Sequence, residues 1–178
     1  MRPRTFPQRG RLGILGAVAL VGAALLVAAP ANAGTLDFGP PGQPGISDFA
    51  PVTLNGTRQL TSLAIEPFSV VDSTASGAGW KVLLTVSDLA NGASTIPASA
   101  MTMAAPVVAP ADGASMTGVR GHATAGNLSS GERIVTADVL EGDGSYLVSP
   151  GILTLTVPAD ATSGVYAGNA TIAVVSGP

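Results

Sequence analysis

A single histidine, His122, and the absence of cysteine leave this chain a narrow range of chemistry. A thiol nucleophile, a thiolate metal site and an iron–sulfur cluster are excluded, and a zinc site of the usual kind has no second imidazole to draw on. A Ser-His-Asp arrangement would have to use His122, in Arg120-Gly121-His122-Ala123. No Gly-x-Ser-x-Gly elbow accompanies it, so the imidazole reads as a loop or strand-edge group without catalytic role. The densest carboxylates, Asp138, Glu141 and Asp143, flank a glycine-containing turn. Their spacing does not reproduce the calcium loop of an EF-hand and lacks its final bidentate Glu, so they read as a solvated hairpin turn. Glycoside hydrolysis needs two carboxylates held at a defined separation across a sugar cleft, and nothing in the spacing singles out such a pair. The chain is expected to be no enzyme, with no metal and no cofactor.

Aromatic rings are the remaining route to a ligand, because the C–H faces of saccharides stack on them. Beyond residue 33 the chain offers Phe38, Phe49, Phe68, Trp80, Tyr146 and Tyr166. Trp80 is the sole tryptophan and follows Gly77-Ala78-Gly79. A turn with two glycines can deliver one large ring to a fixed point of a sheet, as a core anchor or as a binding platform. The core anchor is the reading preferred.

The elements that would position these rings are strands. Trp80, Val82, Leu84 and Val86 alternate with Lys81, Leu83, Thr85 and Ser87, which is period two. Leu153, Leu155 and Val157 alternate with Thr154 and Thr156, and Tyr166, Ala170, Ile172 and Val174 fall on one face of a third run. Weaker strands are expected over 51–54, 61–65, 68–71, 101–104, 133–140 and 146–148, and a long decorated loop over 97–122. Turns are signalled by Asn55-Gly56, Asn91-Gly92, Asp112-Gly113, Gly142-Asp143-Gly144 and Ser163-Gly164. Alternating strands bury one face each, and two sheets bury those faces together. The expected fold is all-β, an antiparallel two-sheet β-sandwich, Ig-like or jelly-roll-like, over residues 50–178, with the Pro/Gly-rich stretch 34–49 as a linker or loosely held arm.

Residues 1–33 carry Arg2, Arg4, Arg9 and Arg11, an apolar run from Leu12 to Ala29, and Ala31-Asn32-Ala33. This is the pattern of a secretory signal cut after Ala33. The expected localisation is extracellular, with no stable membrane anchor after cleavage. The remaining chain has four basic residues, Arg58, Lys81, Arg120 and Arg133, against eleven acidic ones, a net charge of −7. Such a surface repels phosphate backbones and anionic lipid, so nucleic acid and basic-patch membrane docking are not expected.

Two segments together resemble the WxL domain of Gram-positive bacterial surface proteins. The first is Asp72 followed by Gly77-Ala78-Gly79-Trp80-Lys81-Val82, similar to the family's Asp…Gly-x-Gly-Trp-x-Leu with Val82 in the Leu place. The second begins at Tyr166, places Thr171 five residues on and Val174 eight residues on, and reaches Pro178. It is similar in spacing to the family's distal Tyr-x-x-x-(Leu/Ile/Val)-Thr-Trp-x-Leu-x-x-x-Pro pattern, with Ala170 at the aliphatic position, Ile172 at the second tryptophan and Val174 at the Leu. The resemblance covers roughly residues 50–178. It implies non-covalent association with the cell wall through peptidoglycan, and it marks Trp80, Lys81, Val82, Tyr166 and Thr171 as the wall-association motif. The alternative expectation is a structural or interaction β-sandwich that binds another surface protein; a carbohydrate-active enzyme ranks below both.

Overall fold

Alternating burial along β4 (Trp80–Val86) carries the period-two pattern into three dimensions: Trp80, Val82, Leu84 and Val86 are buried and Thr85 is exposed. The computed structural model describes residues 34–126 and 128–178; the expected secretory signal over 1–33 lies outside the described residues. The other strands are β1 (Leu36–Phe38), β2 (Gln59–Ala64), β3 (Phe68–Asp72), β5 (Leu89–Asn91), β6 (Ser94–Ile96), β7 (Met101–Met103) and β8 (Val107–Ala111). They continue with β9 (Val119–Gly121), β10 (Thr124–Ala125), β11 (Glu132–Ala137), β12 (Gly144–Ser149), β13 (Ile152–Val157) and β14 (Ala170–Ser176). Every pairing is antiparallel, and the fold is all-β as expected.

The strands form three four-stranded sheets, β1-β3-β12-β8, β10-β7-β13-β2 and β14-β4-β11-β9, and the hairpin β5-β6. The first two sheets are halves of one bent layer. Val148 pairs with Phe68 above the break and Ile152 with Ala64 below it; Ser149 pairs with Val107 above and Leu153 with Met103 below. Each strand advances by the same number of residues as its partner, so one register runs through both halves. The break falls at Pro106 and Pro150, which face each other in that register, and at Pro67, one row away opposite Ser149. Proline has no N–H to donate, and three of them in two adjacent rows interrupt the ladder without shifting it.

The third sheet closes against this layer. Strand β1 lies against β14, β8 lies against β9, and the chain passes from the third sheet to the bent layer between β9 and β10. At that corner a Cβ on Gly121 would collide with the Pro106 carbonyl, so the crossing depends on glycine. All three sheets feed one core, which includes Phe68, Val70, Trp80, Ile134, Tyr146 and Leu153. Burying these side chains is worth roughly 1.5–3 kcal/mol each before conformational entropy is counted.

Residues 34–49, expected as a linker or loosely held arm, are a docked arm. Strand β1 pairs with β3, and Phe38 meets Phe68 edge-on with ring centroids 5.5 Å apart. Ile46 bridges to Ile65, the Ser47 N–H donates to the Ala64 carbonyl at 3.0 Å, and the Gln43 amide donates to the Ile172 carbonyl at 2.9 Å. Composition alone suggests looseness here because Pro and Gly dominate; Leu36, Phe38 and Ile46 supply the apolar contacts that hold the arm to the core. The expected strand at 51–54 is irregular chain, whereas 97–122 contains β7, β8 and β9.

Candidate functional site

The residues expected to form the wall-association motif separate into two groups. Trp80 is 0% exposed, its Nε1–H donates to the Gly142 carbonyl at 2.9 Å, and its ring lies 5.5 Å from that of Tyr146 at 56°. The Tyr146 hydroxyl donates to the Ser115 carbonyl at 2.8 Å, so this aromatic pair is tied to two loops. Gly142 has φ +88°, and a Cβ there would sit 2.6 Å from Trp80 Nε1. Asp72 Oδ1 accepts from the Thr74 N–H and hydroxyl at 2.9 and 2.6 Å, shaping the turn ahead of Gly77. Trp80 and Val82 are therefore core, and neither can stack on a ligand in this structure. Lys81 is half-exposed, and its Nζ donates to a Pro178 oxygen at 3.2 Å.

The later part of the distal motif, from Ala170, lies on the neighbouring strand. Strands β4 and β14 pair so that Trp80 faces Ser176, Val82 faces Val174 and Leu84 faces Ile172. Ile172, standing at the family's second tryptophan, is buried at 2% exposure. Thr171 is exposed opposite Thr85, five residues down the ladder from Ser176 and about 17 Å away at strand rise. Tyr166 is not on a strand at all: β14 begins at Ala170, and Tyr166 sits in the preceding loop, after Gly164. The expected run over 166–174 breaks because the ladder with β4 begins only at Ala170, and Ala167 bridges Ala90 of β5 instead.

Tyr166 instead stands between two open grooves of about 610 and 560 Å³. Phe49, Leu89, Val165 and Tyr166 line both and divide them. The first groove adds polar groups, among them Ser47, Asp48 and Asn169; the second is mostly apolar, with Val52, Leu155 and Val157 on its walls. Both fall in the size range of small-ligand sites. The Tyr166 hydroxyl shares a 3.0 Å hydrogen bond with Thr162, whose own hydroxyl donates to Ser94 at 2.9 Å. The Asn91 amide donates to the Ser163 carbonyl at 3.2 Å, and Ala90 and Ala167 exchange two backbone hydrogen bonds. These bonds pin the 158–169 loop to the β5-β6 hairpin and hold the Tyr166 ring in place before any ligand arrives. Val165 beside it is 86% exposed.

Of these residues the sequence places only Tyr166 in a binding motif, with Phe49 named simply among the available rings. Phe49 lies outside any alternating pattern, and Asp48 and Asn169 carry no motif. The available signal was Gly164-Val165-Tyr166, two large apolar side chains directly after a turn glycine.

The other chemical candidates sit elsewhere. Arg120 clamps Asp138 with contacts of 2.7 and 2.9 Å, and this ion pair lowers the Asp138 pKa and raises that of Arg120. His122 Nε2 lies 2.7 Å from the Thr136 hydroxyl. Burial, then the Arg120 and Arg133 charges, lower its pKa, against a smaller opposing effect of Asp138. No group of three or more metal-capable side chains gathers among the described residues. Comparison with known protein families, characterised proteins and solved structures finds no match to this chain.

Proposed function

We propose that this chain is an exported, non-enzymatic β-sandwich that associates non-covalently with the bacterial cell wall, with peptidoglycan as the polymer and the grooves around Tyr166 as the contact. The observation that carries the reading is the pinned Tyr166 ring between two open grooves, with Phe49 beside it and polar groups along one rim. Two further observations support it. Parts of the two segments that resemble the WxL motifs, Trp80 to Val82 and Ala170 to Val174, lie on adjacent paired strands, β4 and β14. Residues 1–33 have the pattern of an export signal.

The test is a pull-down of residues 34–178 with purified peptidoglycan. Enrichment over a heat-denatured control, lost in Tyr166→Ala at unchanged melting temperature, is the expected result. No enrichment refutes the reading.

A second reading, binding to another surface protein, draws on the outer face of the bent layer. Leu60, Val107, Leu147 and Ile152 are exposed there. Leu147 lies between Ser69 and Ala109, and Ile152 faces Ala64, so the face is apolar and hydroxyl-bearing across several rungs. Crosslinking on intact cells separates the two: a discrete protein adduct favours this reading, and release of the chain by wall digestion favours the first.

A further inference from the structure

We infer that the paired grooves around Tyr166 take a neutral glycan strand of N-acetylated amino sugars, and not a phosphate-bearing wall polymer. The inference rests on the wall-association reading and names which wall component the site holds.

Charge decides the first half. Neither groove is lined by lysine or arginine, and the one charged lining residue is the carboxylate of Asp48, which makes no ion pair. The four basic residues beyond residue 33 are placed elsewhere: Arg120 is held by Asp138, Lys81 reaches Pro178, Arg133 is exposed on β11, and Arg58 lines a separate groove that also contains Asp160. A polyol-phosphate chain would bring its charges to a site with no cation and one carboxylate, on a surface already strongly acidic. A neutral strand meets no such penalty.

Shape and polarity decide the second half. One groove carries hydrogen-bonding groups with free capacity, since the Asp48 carboxylate and the Asn169 side-chain amide have no partner among the described residues. The other groove, across the Tyr166 ring, is walled by Val52, Leu155, Val157 and Val165. An N-acetylated amino sugar has the matching parts: a C–H face for the ring, hydroxyls and an amide for the polar rim, and an acetyl methyl for the apolar recess. A plain glucan has the first two and lacks the third.

The experiment uses residues 34–178 and four probes: chitohexaose, cellohexaose, glycerol-phosphate teichoic acid, and intact peptidoglycan sacculi stripped of teichoic acid. The first two share a β-1,4 backbone and differ by the acetamido groups, so their ratio reads the recess directly. The expected result is saturable binding of chitohexaose, weaker binding of cellohexaose by about tenfold or more, and no binding of teichoic acid. Tyr166→Ala and Asn169→Ala should each weaken chitohexaose binding at unchanged melting temperature. Equal binding of the two hexamers, binding of teichoic acid, or chitohexaose binding indifferent to Tyr166→Ala overturns the inference. The sacculi separate its failure from that of the wall reading. If sacculi bind and chitohexaose does not, the glycan inference falls and wall association stands. If chitohexaose binds and sacculi do not, wall association falls and the saccharide site stands.

Discussion

Replacing Trp80 tests whether the resemblance marker is a core anchor. The side chain is fully buried, its Nε1–H is the donor to the Gly142 carbonyl, and its ring packs on Tyr146. Trp80→Ala removes the apolar transfer energy and opens a cavity, together about 3–5 kcal/mol. That range already includes the ring pairing with Tyr146, worth roughly 0.5–1.5 kcal/mol. Trp80→Phe keeps most of the ring and leaves the Gly142 carbonyl unsatisfied, so it should cost about 1–3 kcal/mol, less than alanine. Urea titration of residues 34–178 should show a lower midpoint at an unchanged slope in both variants. For a domain of this size the alanine variant should melt about 10–20 °C lower. At temperatures where the variants remain folded, peptidoglycan pull-down should be retained, because no atom of the indole reaches the surface. A Trp80→Ala protein with parental melting and lost pull-down would refute the reasoning, since only a surface platform behaves so.

Gly142→Ala should destabilise by more than about 2 kcal/mol, since the new Cβ overlaps the indole and the backbone has positive φ; a differential-scanning melt checks it, with Gly177→Ala, which has positive φ and open space, as the milder control. Thr162→Val removes the hydroxyl that bonds Tyr166 and Ser94, so hydrogen exchange should quicken over 158–169 while the β4 and β11 amides keep their protection. For His122, the folded pKa lies below the ordinary 6.5 because of burial and the Arg120 and Arg133 charges. As pH falls, the unfolded chain takes up this proton first, so stability should decline from about the unfolded pKa down through the folded one and level off below. Urea midpoints across that window should fall in the parent and stay flatter in His122→Gln.

Much of the fold was legible because it rests on local pattern. The alternation over 80–86 and 153–157 became β4 and β13, and Asn91-Gly92 became the turn of the β5-β6 hairpin. Short, weakly patterned strands were not legible. Strand β8, Val-Val-Ala-Pro-Ala, has a half-exposed face and a proline, and it is a strand because β12 pairs with it. Tyr166 was found as a residue and misplaced as an element: apolar spacing suggested one strand from 166, and the ladder with β4 begins only at Ala170, which leaves it in a loop.

The sequence by itself determined which side chains face inward along each clear strand, since the period of two is a property of the backbone. It also determined that no thiol or second imidazole is present for chemistry, and that only four basic residues stand against eleven acidic ones beyond residue 33. Only the tertiary structure decided that Trp80 is inaccessible, because its burial comes from Tyr146 and Gly142, on a different strand and loop. Only the tertiary structure set Phe49 and Asp48 beside Tyr166, from opposite ends of the described chain. Grooves of this kind arise where non-local segments fail to close over one another, and no periodicity within either segment records that gap.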